Sequence, residues 1–241
     1  MHSSGGPFEI PAWNPRRMLA SPASWAWVCT VLGIHAWVAM RGGPERLGRW
    51  FADFGMERAG FLTGKIWQPV SYGFLHGGWW HAALNALFLL AIGSRIEHMA
   101  GRATMVRTTA AGVLAGGLCH LLLGSGLLVG MSGACMALLL LLTTLSPQSR
   151  MFPLPVSARS LGLGVMLGEL ILTLVNPSLD LPGLSVVGRA MVERGMGSWF
   201  QIGHACHVGG GLAGWLYGRW ILRPRVTLDR LRRERARREA E

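Results

Sequence analysis

Residues 127–145 read LLVGMSGACMALLLLLTTL. This is an uncharged apolar run of bilayer-spanning length, with a serine set between glycines in Gly130-Met131-Ser132-Gly133. Leucine would suit a lipid-embedded helix better at these positions, so the small residues need a reason. One is packing, because Gly, Ala and Ser let neighbouring helices approach closely in lipid. The other is chemistry: Ser132 is a nucleophile and the glycines make room for the group that activates it.

Working outward, the same composition continues. Of 241 residues, 51% are hydrophobic, 15% are charged and 34 are Gly, a glycine share about twice the usual ~7%. Apolar stretches recur along the whole length, which predicts an all-α polytopic membrane protein instead of a soluble domain around one core. Spans are expected at 22–40, 79–95, 103–123, 126–146, 160–176 and 203–222. A net charge of +11 by itself suits nucleic acid. Yet the basic residues lie between apolar runs and in the tail RPRVTLDRLRRERARREAE (223–241), where topology accounts for them. No nucleic-acid partner is expected. With both termini in the cytoplasm, 16 of the 23 basic residues fall on the cytoplasmic side, so charge asymmetry selects six spans, N-in and C-in.

The expected organisation is a cytoplasmic N-terminal segment (1–21), a six-span domain (22–222) and a basic cytoplasmic tail (223–241), solvated or lying on lipid. The polar start is too long for a signal peptide and no cleavage site follows the first apolar run, which is therefore expected to be an uncleaved span. Cys29, Cys119, Cys135 and Cys206 fall in apolar segments without disulfide or zinc-site spacing and read as small buried hydrophobes. In the first outer loop, PERLGRWFADFGMERAG (44–60), Leu47, Trp50, Phe51 and Phe54 recur at helical spacing opposite charged residues. That pattern predicts an amphipathic helix in the membrane interface.

Polar groups inside a membrane are costly and are functional candidates by default. Three spans supply them: His81 and Asn85, Ser132, and His204 and His207. In the topology above, the second, fourth and sixth spans all run from outside to inside. At 1.5 Å per residue, His81 and Ser132 each stand about 21 Å, and His207 about 18 Å, from the cytoplasmic ends of their spans. All three therefore share a level about 10 Å below the outer surface of a ~30 Å hydrocarbon layer. A serine hydroxyl needs an adjacent base, and imidazole suits that task. His81 and Asn85, at i and i+4 on one helix face, supply donors for an oxyanion, with the Ser132 backbone N–H as a third. Gly130 and Gly133 around Ser132, and Gly210 and Gly214 after His207, let the two helices close to hydrogen-bonding distance.

At these residues the sequence resembles the rhomboid family of intramembrane serine proteases. The matching pieces are WQPVSYGFLHGG (67–78), HAALN (81–85), Glu97 to Arg102 as ExxxGR, GMSG (130–133) and HVGGGLAG (207–214) as HxxGxxxG. They occur in family order across residues 20–222. The resemblance implies a six-transmembrane-helix bundle with an interfacial first outer loop. It implies Ser132 as nucleophile, His207 as general base and acid, and His81 and Asn85 in the oxyanion hole, with no aspartate. It further implies water access from the outer side and substrate access near the second and fifth spans. The ExxxGR match is then structural, with Glu97 and Arg102 tying the cytoplasmic end of the second span to the following loop.

Two positions depart from the family pattern. Met136 stands where many members carry a tyrosine that supports the histidine, and Cys206 precedes the base where Ala or Gly is common. Glu169, an acid within the fifth span, is assigned to a structural or gating role, and His204 to the mouth of the same cavity. His76 is expected near that mouth too, His120 to be a packing residue, and the 177–202 loop to cap the site. The expected function is cleavage of single-span membrane proteins near the outer end of their helices, by a functional monomer in a bacterial inner membrane, with no metal or cofactor. Two rivals differ in class: an inactive rhomboid-like chaperone or adaptor, and a metal- or haem-binding protein using His76, His81, His204 and His207. The second leaves the Gly-x-Ser-Gly unexplained and lacks the HExxH pattern of zinc-dependent intramembrane proteases.

Overall fold

In a computed structural model of the chain, residues 15–41, 44–151, 156–223 and 228–239 are described. Most of the expected N-terminal segment, and residues 224–227 and 240–241 of the tail, lie outside them. The described chain is helical. Its only β pairings are isolated bridges between Met56 and Leu128 and between Arg150 and Ser157.

The bundle is built from α1 (Pro22–Arg41), α3 (Trp79–Ala100), α4 (Arg102–Leu123), α5 (Ser132–Leu145), α6 (Ala158–Leu174) and α8 (His204–Ile221). The α1–α3 and α6–α8 connections contribute α2 (Pro44–Phe54) and α7 (Leu184–Met191), with short turns of helix around them. α5 lies at the centre, with nearly every side chain buried, and packs on α8, α4, α3 and α6. Its surroundings are inverted relative to a water-soluble protein. Leu87, Leu118, Leu163, Leu167, Leu212 and Leu216 are exposed, whereas Asn85, Thr108, Thr109, His120, His204 and His207 are buried. An apolar exterior, with the polar side chains withdrawn among the buried leucines of the bundle, is the arrangement that lipid demands. α1 and α4 are long and apolar enough to cross a bilayer, while α5 is apolar but has 14 residues.

Local sequence explains the joints. α3 passes into α4 through Gly101 alone, whose φ of +89° is open to glycine and strained for other residues. Glu97, one turn earlier, accepts hydrogen bonds from the Ala23 amide (3.1 Å), the Ser24 amide (2.9 Å) and the Ser24 hydroxyl (3.0 Å). Those amides open α1 and have no carbonyl of their own. The brace expected between Glu97 and the following loop therefore runs chiefly to α1, and the remaining contact, Arg102 at 3.5 Å, involves an exposed side chain.

The helix expected over 126–146 begins six residues late, at Ser132. Leu128 is instead extended and exchanges both backbone hydrogen bonds with Met56, at 2.9 Å each. The amphipathic stretch forms α2, and its apolar face meets α1, with Trp50 set edge-on to Trp37 at 4.8 Å and stacked on Phe54. Gln68, fully buried, donates to the Ala52 carbonyl (3.2 Å) and accepts from the Glu57 amide (3.4 Å). Trp67 donates to the Asp53 carbonyl (2.8 Å). The connection between α1 and α3 is thereby fastened to the segment that leads into α3.

Candidate active site

Ser132 is the first residue of α5 because the turn before it is fixed from two sides. The Gly130 amide donates to the Tyr72 carbonyl (3.0 Å), and the Met131 amide donates to Nε2 of His76 (3.4 Å). Gly130 has φ +117°, and a β-carbon there would stand 2.6 Å from Cε1 and Nε2 of His81. Both the turn and the histidine thus require glycine at 130. The Ser132 amide, which opens α5, has no carbonyl in a preceding helical turn to bond and lies beside the serine hydroxyl.

His207 approaches from α8. A β-carbon on Gly210 would run into the Gly133 carbonyl oxygen, and one on Gly214 into that of Ala137. α8 therefore lies against α5 backbone to backbone, as the HxxGxxxG spacing predicted. On its other flank a β-carbon at Gly209 would meet the Ala115 carbonyl of α4. Cys206 is fully buried, wedged against Gly116 and Gly133, with Tyr72 Oη 3.4 Å from its sulfur. Tyr72 also donates to the Val113 carbonyl at 2.7 Å. Tyr72 thus links α4, α8 and the turn before Ser132, a role the sequence did not disclose beyond its place in the WQPVSYG stretch.

Ser132, His207, His81 and Asn85 line one cavity of about 460 Å³, closed partly by Gln201, Ile202 and Gly203 from the end of the connection between α6 and α8. The side-chain oxygen of Asn85 accepts from the Cys135 thiol at 3.6 Å, while its buried Nδ2 has no partner. An amide held by its oxygen and left with free N–H groups beside a serine is a ready donor for developing negative charge. His120 also lines the cavity, a residue assigned to packing on sequence. Its Nε2 bonds the Gly126 carbonyl at 3.1 Å and its Nδ1 is unpartnered.

Other expected residues lie elsewhere. His76 is buried behind the Ser132 turn, its ring 5.0 Å from that of His81, and does not line this cavity. Burial, and secondarily the neighbouring His81 ring, push its pKa down to about 3. Met136 packs against the hydrophobic core. His204 is buried and lines a much smaller adjoining cavity. Glu169 reaches from α6 to α8, where its Oε2 lies 2.6 Å from His204 Nδ1 and 3.0 Å from His207 Nδ1. These three groups have the donor chemistry of a divalent-cation site, their ligand atoms all lying within 4.8 Å of one another. The His76–His81 pair is separate from them, so the four histidines do not form one ligand set.

The rhomboid-domain family model matches residues 63–224, about two thirds of the chain. The chain belongs to the rhomboid family. No curated protein matches it. Rhomboids are integral membrane proteins that act on transmembrane substrates, most as intramembrane serine proteases and some as inactive homologues. The match spans the Ser132 turn and α8 entirely, and so covers every residue lining the cavity.

Proposed function

We propose that this rhomboid is an active intramembrane serine endopeptidase in which Ser132 is the nucleophile and His207 the general base. The observation that carries the reading is the shared cavity: a serine at a helix N-terminus, a histidine on the helix in backbone contact with it, and an unpartnered Asn85 amide in the same wall. His81 and Asn85, with the opening amides of α5, form the oxyanion hole. The protein is read as six spans, N-in and C-in, in a bacterial inner membrane, with residues 22–222 as the membrane domain and 223–241 as a basic cytoplasmic tail. It acts as a monomer on single-span substrates near the outer end of their helices.

In the reaction, His207 accepts the Ser132 hydroxyl proton as Oγ attacks the substrate carbonyl carbon. The resulting oxyanion is held by the Asn85 and His81 donors. Collapse breaks the C–N bond, and His207 delivers its proton to the departing amine. Water then repeats the sequence on the acyl-enzyme: His207 removes its proton, hydroxide adds, and the Ser132–acyl bond breaks with return of the proton to Oγ.

The test is fluorophosphonate labelling of detergent-solubilised protein, with cleavage of a single-span substrate in liposomes. Wild type is expected to label and cleave, and Ser132→Ala and His207→Ala to do neither at unchanged Tm. A well-folded wild type that does not label would move the inactive-homologue reading ahead.

A further inference from the structure

We propose that Glu169 is a positioning residue for His207, completing a Ser132–His207–Glu169 triad in which His204 holds the carboxylate in place. The proposal rests on the protease reading and deepens it. Glu169 stands in the C-terminal third of α6 with its side chain mostly buried, where an unpaired carboxylate would be disfavoured. Its pairing is asymmetric. Oε2 makes a short bond of 2.6 Å with His204 Nδ1, and the other nitrogen of that ring, Nε2, faces the Trp199 carbonyl at 2.8 Å. A carboxylate and a carbonyl only accept, so both contacts are satisfied when His204 carries a hydrogen on each ring nitrogen. The resulting imidazolium balances the Glu169 charge and anchors it between α6, α8 and the outer loop.

The same oxygen lies 3.0 Å from His207 Nδ1. That nitrogen is buried and has no aligned acceptor in the resting geometry, because the oxygen lies off the N–H axis. Among the described residues, Glu169 is the one acid within ion-pair distance of His207. A buried donor needs an acceptor, and catalytic hydrogen bonds commonly tighten once substrate is bound. A turn of the ring toward Oε2 fixes the hydrogen on Nδ1 and leaves the Nε2 lone pair for Ser132. When Nε2 takes the serine proton, the ring's positive charge develops next to the carboxylate, which itself neither gains nor loses a proton.

Four proteins decide the matter: wild type, Glu169→Gln, Glu169→Asp and Ser132→Ala, each assayed for Tm, fluorophosphonate labelling rate, kcat and KM. Glu169→Gln keeps the shape and removes the charge. Its kcat and labelling rate are expected to fall about 10²-fold with KM within about threefold, and Glu169→Asp to recover part of the loss. Wild-type kcat in Glu169→Gln overturns the proposal and leaves the protease reading standing. So does a loss that tracks Tm and KM together and is not recovered by Asp, which marks a merely structural carboxylate. A wild type that is inactive, or a Ser132→Ala variant that still labels, brings down the protease reading and the triad with it.

Discussion

At the residue scale the decisive feature is which polar atoms are held and which are left free. Asn85 is fixed through its oxygen and presents its nitrogen. Asn85→Ala should therefore lower kcat by about 10²–10³-fold with little change in KM, the usual effect of losing one oxyanion donor, as read in the liposome assay. His76 illustrates the opposite case, a histidine kept neutral to accept the Met131 amide. Its pKa, about 3 in the folded protein against about 6.5 unfolded, means that the unfolded chain binds the extra proton between those values. Stability contributed by neutral His76 is thus complete above about pH 6.5 and lost as pH falls toward 3. Tm is expected to fall over that window in wild type and to fall less steeply in His76→Asn, by thermal denaturation in detergent. The donor role of Asn85 was already an expectation of its spacing with His81. The His76 effect was not legible in the sequence, where His76 read as a residue near the cavity mouth, because burial behind a turn depends on how the turn folds.

At the element scale the contact between α5 and α8 governs everything above it. Gly210 and Gly214 have no room for a β-carbon, whereas Gly164 on α6 faces open space. Gly210→Ala should separate the helices, with loss of labelling and a lower Tm. Gly164→Ala should match or slightly exceed wild type, since alanine favours the helix by up to ~1 kcal/mol. This contact was readable in advance, because a small residue every fourth position marks one face of a helix whatever the partner. The start of α5 was not. Periodicity cannot distinguish Leu127–Val129 from the apolar helix that follows, and only the Met56 pairing takes that stretch out of the helix. Glu97 shows the same limit: its spacing marked a brace, but its acceptor role toward Ala23 and Ser24 joins residues more than 70 positions apart.

At the scale of the whole molecule, the apolar exterior and the polar side chains buried within a hydrophobic core fit a chain whose family resides in the membrane. The proposed N-in, C-in arrangement predicts that a reporter fused after Glu241 is active on the cytoplasmic side, and that one inserted in the 177–202 loop is active on the outer side. Swapped signals would refute the topology. Composition, charge placement and the order of short motifs determined the all-α class and the family, because solvation by lipid and close helix packing write themselves into single residues and fixed spacings. The tertiary structure alone decided the partners: that Tyr72 fastens the Ser132 turn, that Glu97 caps α1, and that a glutamate on α6 reaches His204 and His207 on α8. Hydrogen-bond partners distant in sequence are chosen by where the helices cross, and that crossing is a property of the packed bundle, absent from any one of its strands of sequence.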